Sequence, residues 1–199
     1  RDTSTRAITD SLRAATEAAK GGPRATTGTT HISVADASGL VAAMTTTNGT
    51  NGGVLVPTTG VHLNNMLGED DLLPDGIDSV TPGERLRSMS APTILTDSEG
   101  GVVALGSGGS ARIRSAMTTV ILRLSIDGAS LVDAVGGPRA HHEDTGVVQV
   151  EPGLRADDLS DLRSHYQVNE WPVTDFYFGG VNAVQRLADG TVIAAADHR

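Results

Sequence analysis

Gly28-Thr29-Thr30-His31-Ile32-Ser33-Val34 sets a glycine before a threonine and then an alternating strand pattern. A self-cleaving N-terminal nucleophile needs such an arrangement, although the same residues also suit an ordinary loop entering a strand. If the Gly28–Thr29 bond is cut, Thr29 carries a hydroxyl and a free α-amine on one residue. The amine has an unperturbed pKa of roughly 7.7–8.0, so near neutral pH part of it is unprotonated and takes the hydroxyl proton, directly or through one water. Nucleophile and base then share a residue. Acyl transfer also needs donors for an oxyanion. Gly106-Ser107-Gly108-Gly109 lies between a strand pattern and a helical one. Gly108 and Gly109 can offer backbone N–H groups there with no Cβ in the way, beside the positive end of the following helix. This pair is expected to act on the transition state rather than on folding. No lysine follows as in a phosphate-cradling loop, which argues against a nucleotide site.

The elements that must position these residues follow from periodicity. Ile8, Leu12, Ala15 and Ala19 recur at helical spacing over residues 4–20, and Gly21-Gly22-Pro23 stops the helix. Residues 30–34 and 40–46 read as a hairpin about Asp36-Ala37-Ser38-Gly39, which puts Thr29 at the start of its first strand. Val54-Leu55-Val56 reads as a short strand, and residues 64–87 as irregular chain broken by Pro74, Gly76, Pro82 and Gly83. A second hairpin, residues 93–96 and 102–105, precedes the glycine turn. Ile113, Met117, Val120, Ile121 and Leu124 then share one face of the clearest helix. A helix near 130–135, a strand at 147–150, a helix at 156–165 and a hairpin over 181–196 about Asp189-Gly190 complete the pattern. Hairpins separated by helices imply antiparallel sheets with helices outside, an α+β class.

Composition removes several function classes. The 199 residues allow one real core. Net charge is −9 with basic residues scattered singly, so no phosphate-tracking stripe exists and nucleic acid is not an expected partner. With no cysteine there is no disulfide or thiolate site, which leaves the compartment open. No apolar run approaches the ~20 residues of a membrane span. Aromatics make up 3% against 24 glycines, so the core must be aliphatic and the turns tight. The six histidines show no metal-ligand spacing: His141 and His142 are adjacent and point apart, and His31 is expected to pack within the first hairpin. The start at Arg1 and the charged ending Asp197-His198-Arg199 make both ends read as cuts.

Thr29-Thr30-His31, Leu63-Asn64-Asn65, the Ser88–Thr93 run, Gly106-Ser107-Gly108-Gly109 with Arg112, and Pro138-Arg139-Ala140-His141-His142 fall in the order and approximate spacing of the small subunit of gamma-glutamyltranspeptidase. The chain resembles that family from about residue 24 to its end. The resemblance implies the N-terminal-nucleophile hydrolase fold, a four-layer αββα sandwich matured from a zymogen by autoproteolysis between Gly28 and Thr29. Residues 1–28 would then be the tail of the large subunit and 29–199 the small, catalytic subunit. It further implies an acyl hydrolase or transferase of glutathione metabolism, with no cofactor or metal. The large subunit of the same precursor is its partner, and a γ-glutamyl or other carboxylate-bearing small molecule its substrate. Thr47, eighteen residues after Thr29, stands where the family carries a threonine whose hydroxyl bonds the nucleophile; by itself it would read as a plain strand-end residue.

The glutamyl pocket departs from the family. After its Asn-Asn pair the family has Gln-Met-Asp-Asp, whereas this chain has Met66-Leu67-Gly68-Glu69-Asp70-Asp71, so the aspartate that binds the substrate's α-amino group corresponds to Glu69 by count or Asp71 by pattern. The family's Thr-Leu-Asn becomes Thr47-Asn48-Gly49, leaving Asn48 as the substrate-touching asparagine, and its carboxylate-binding serine pair becomes Arg87-Ser88. Two alternatives follow. One is a specialised member acting on a different amide, or on a C–C bond next to a carbonyl in a biosynthetic pathway. The other is a non-catalytic, unprocessed binding protein, for which the whole Gly28–Thr29 junction speaks and the joint presence of Thr29, Thr47, Gly108 and Gly109 speaks against.

Overall fold

The computed structural model describes residues 28–199; the helix expected over residues 4–20 lies outside them. The chain divides into two compact units, one containing Thr29 and Thr47–Ser88, the other Thr30–Thr46 and Met89–Arg199.

Strands β1 (Thr29–Ala35) and β2 (Val41–Thr47), which but for Thr29 and Thr47 belong to the larger unit, form the expected hairpin. Its turn closes on the Asp36 carboxylate, which accepts the N–H groups of Ser38 at 2.8 Å and Leu40 at 2.9 Å. Four further strands, β3 (Thr93–Thr96), β4 (Val102–Gly108), β8 (Gly180–Arg186) and β9 (Val192–Ala196), make an antiparallel sheet in the order β3-β4-β8-β9. Two-residue periodicity gives β4 two different faces. Val103 and Leu105 pack under helix α1 (Arg112–Ser125) against Ile113, Ala116, Met117 and Val120. Leu131, Ala134 and Val135 of helix α2 (Leu131–Gly136) join the same core. On the opposite face, Gly106 leaves room for the His31 ring of β1. Hairpin, sheet and helices thus stack as successive layers, in keeping with the αββα architecture.

The structure corrects the expected elements in four places. β4 runs on through Gly106, Ser107 and Gly108, pairing Gly108 with Gly180, so the glycines read as a turn are strand as far as Gly108. The third sheet, β5 (Ala140–His142), β6 (Val147–Val150) and β7 (Gln167–Glu170), is not wholly antiparallel. β6 and β7 run parallel because helix α3 (Ala156–His165) carries the chain back to the same end, as a crossover requires. β5 and β7 escape pattern reading because they are short and largely polar. Val54–Val56 forms no strand: only an isolated bridge joins Leu55 to His62 before Pro57 turns the chain.

The ending does not dangle. Asp197 and Arg199 have side chains 3% and 1% exposed, each in ion pairs. In the smaller unit, Thr47–Ser88 is mostly loop with two 3-10 turns, Met66–Gly68 and Ile77–Ser79, and Val54 is its one buried apolar residue among those described.

Candidate active site

β1 and β2 bring the two threonines of the sequence analysis together. Thr29 Oγ1 lies 2.9 Å from Thr47 Oγ1. Thr47 Oγ1 also accepts the Gly49 N–H at 3.0 Å, which fixes the hydroxyl while leaving a lone pair for a proton from Thr29. The carbonyl of Gly28, on the bond that would be cut, accepts the Asn48 N–H at 3.0 Å. Glu69 Oε1 accepts the Thr50 N–H at 2.6 Å, and Asn65 Nδ2 donates to Thr50 Oγ1 at 2.5 Å. Asn65 Oδ1 is buried with no hydrogen-bond partner. Glu69, one of the two carboxylates left open above, is thus held against the loop that follows Thr47. Asp71, Arg87 and Ser88 are exposed, and Asn48 enters through its backbone.

His31 packs inside the hairpin as expected, 6% exposed, with Nδ1 2.7 Å from Thr45 Oγ1 and Nε2 2.8 Å from Ser33 Oγ. Burial lowers its pKa from the ordinary 6.5, so it is neutral at physiological pH.

In the larger unit, the end of β4 and the start of α1 are joined by Gly109 at φ +125° and Ser110 at φ +52°. A Cβ on Gly109 would lie 2.8 Å from the Cα of Gly179. Gly109 therefore serves folding as well as any chemistry, contrary to the expectation that the turn matters only in the transition state. Gly179 in turn is held by Arg139, whose Nη1 donates to its carbonyl at 2.6 Å and whose Nη2 donates to Val135 O at 2.9 Å and Asp197 Oδ2 at 2.7 Å. Arg199 completes the network with Glu151 at 2.5 Å and Asp197 at 2.9 Å. Burial works against the Asp197 carboxylate, but Arg139, the Val181 N–H and Arg199 outweigh it and hold its pKa below the ordinary value. Arg139 had only marked a motif in the sequence. Its role as the buried clamp on Gly179 was not foreseen, since a lone arginine is usually exposed.

An aromatic cluster flanks the turn. Arg112 Nε donates to Tyr177 O at 3.1 Å, and its guanidinium stands 4.8 Å over the Tyr177 ring. Tyr177 stacks on Trp171 at 4.8 Å, and Trp171 Nε1 donates to Gln149 Oε1 at 2.8 Å. Burial, with the hydrogen bond from its hydroxyl to Glu143, pushes the Tyr177 pKa up to about 12. Among the described residues no three His, Asp or Glu side chains gather in a way that could hold a metal ion, and no helix is long and apolar enough to cross a membrane.

Comparison with known proteins agrees with this geometry. The chain is 39% identical over 138 residues to the glutathione hydrolase proenzyme of Bacillus subtilis, covering 67% of this chain and 23% of that protein. It is 35% identical over 172 residues to the acylase ACY 1 proenzyme of a Pseudomonas species, covering 84% and 30% respectively. The chain thus spans less than a third of the length of these relatives. The crystal structure of the Bacillus anthracis transpeptidase enzyme CapD superimposes with a TM-score of 0.66 at 28% identity, over 85% of this chain and 94% of that one. The sequence model of the family described as Gamma-glutamyltranspeptidase matches residues 2–199, and the chain belongs to that family, with the N-terminal-nucleophile hydrolase fold.

Proposed function

We propose that this chain carries the catalytic part of an N-terminal-threonine acyl hydrolase or transferase, matured by cleavage between Gly28 and Thr29. Residues 1–28 then end the large subunit and residues 29–199 form the small one. The observation that carries the reading is the 2.9 Å contact between the hydroxyls of Thr29 and Thr47, with the Gly28 carbonyl already hydrogen-bonded beside them. After cleavage the Thr29 amine takes the proton of its own hydroxyl, the alkoxide attacks the substrate carbonyl, and Gly108 and Gly109 stabilise the tetrahedral oxyanion. Water or an acceptor amine then releases the acyl group. The share of this chain matched by the Bacillus anthracis structure supports the division, being close to what remains once residues 1–28 are set aside. A row of exposed apolar side chains on the hairpin, Ile32, Val34 and Met44, supports a large subunit that covers it.

For the substrate we favour a γ-glutamyl or other carboxylate-bearing small molecule. Glu69, rather than Asp71, receives its amino group, with Asn48, Arg87 and Ser88 lining the pocket. A fork of two charge-assisted hydrogen bonds from Arg87 would replace the single bonds of the family's serine, and would favour an acyl group other than plain glutamyl. The acylase relative supports that second reading. A binding-only role is disfavoured, because it gives no reason for the Thr29 and Thr47 hydroxyls to meet at 2.9 Å directly after the Gly28–Thr29 bond. Edman sequencing of the purified full-length protein tests the assignment: the smaller fragment is expected to begin Thr-Thr-His-Ile. Thr29→Ala should stay whole and lose turnover by a factor on the order of 10⁶, as for a lost nucleophile. Any other new N-terminus removes Thr29 from the role.

A further inference from the structure

The backbone around Gly28 carries one step further, resting on the reading that Thr29 is the self-processing nucleophile. An ideal Cβ built on Gly28 would overlap the carbonyl oxygen of Gly49 and lie 2.8 Å from its carbonyl carbon. Real Cβ atoms do not approach backbone so closely, so one of the two segments has to move. Gly49 is not free to do so. Its N–H is bonded to Thr47 Oγ1, it sits at φ +65°, and its own Cβ position is filled by Asn65 Oδ1 and by Glu69 Oε1 at 2.6 Å. The preceding carbonyl, of Asn48, is tied at 3.1 Å by the N–H groups of both Asn51 and Asn65. A side chain at position 28 therefore displaces residue 28 itself, and with it the carbonyl that Asn48 N–H holds at 3.0 Å.

We propose that Gly28 is the specificity-determining residue of self-cleavage, and that the Asn48 N–H is the donor that stabilises its oxyanion. In the step itself, Thr29 Oγ1 adds to the Gly28 carbonyl carbon, and the former carbonyl oxygen becomes the anion that Asn48 N–H faces. The C–N bond to Thr29 breaks as the hydroxyl proton reaches the departing nitrogen, leaving an ester. Water then adds to the ester, ending as the Gly28 carboxylate and the restored Thr29 hydroxyl. Only a residue without Cβ keeps the carbonyl on its donor and within reach of Oγ1. The catalytic turnover that follows has no need of this contact, because the cut end no longer has to be attacked.

The test is a time course of cleavage of the full-length precursor, followed by intact mass. Gly28→Ala is expected to slow cleavage by about 10²-fold or more, the scale of losing one oxyanion donor, while melting at the temperature of the uncut Thr29→Ala protein. Co-expression of the two pieces as separate chains, ending at residue 28 and beginning at Thr29, makes cleavage unnecessary; there Gly28→Ala should leave acyl transfer unchanged. Cleavage of Gly28→Ala at the wild-type rate overturns the proposal, as does melting far below Thr29→Ala or lost activity in the two-chain form. A wild-type precursor that never cleaves overturns the assignment of Thr29 itself, and is seen before any variant is made.

Discussion

Arg139 and Glu69 both hold backbone by charged hydrogen bonds, in opposite surroundings. Arg139 is 1% exposed, and its guanidinium gathers Gly179 O, Val135 O and Asp197 under a layer of helix. Glu69 grips Thr50 N–H from a loop whose one buried apolar residue, among those described, is Val54. The backbone behind the glycine turn is thus fixed by ions that cannot leave without unfolding something. The loop beyond Thr47 is fixed by polar contacts that can be rewritten singly. Chemistry common to a family suits the first kind of support and substrate choice the second.

The largest effect expected from breaking this contrast is at Arg139. Arg139→Met leaves buried Asp197 with one arginine instead of two and takes the donor from the Gly179 and Val135 carbonyls, and denaturant unfolding should show a loss of about 3–5 kcal/mol. A loss below about 1 kcal/mol, the level of a surface ion pair, would show that the network is not a clamp. Glu69→Gln should barely move the melting temperature yet raise KM for an amino-bearing substrate about tenfold to a hundredfold, the size of one hydrogen bond to a charged group. Asp71→Asn should change neither, and equal effects at both positions would return the choice between them to open.

The smallest effect is a slope. His31 is held below its unfolded pKa of about 6.5 by burial, so the unfolded chain binds the proton more readily. Stability should be flat above about pH 7 and fall as pH drops through 6.5 toward the folded pKa. His141, depressed chiefly by burial and then by Arg112, adds in the same direction. Thermal melts of His31→Gln between pH 7.5 and 5.5 should show a shallower decline than wild type. An unchanged decline would assign the effect to other groups.

What the sequence revealed of all this depended on distance along the chain. The hairpin bearing Thr29 and Thr47 is local, so alternation on either side of Asp36-Ala37-Ser38-Gly39 found it to within a residue. The glycines of β4 were misread because a glycine that turns the chain and one that admits a neighbour look alike until the neighbour is known. Here that neighbour is the His31 ring, far away in sequence. The same holds for Gly28, which read as a cleavage signal and proves to be a steric fit against Gly49. Arg139, Glu151, Asp197 and Arg199 carried no periodic signal, because a buried ion network is defined by its partners rather than by spacing.

Trp171 is the chain's single tryptophan, and it stacks on Tyr177, the residue whose carbonyl Arg112 grips at the start of α1. Its fluorescence is therefore an unlabelled gauge of this one neighbourhood. Emission should redden and lose quenching when the Trp171–Tyr177 stack opens. A single cuvette can then separate a protein that has failed to fold about its glycine turn from one that has folded and failed to cut itself.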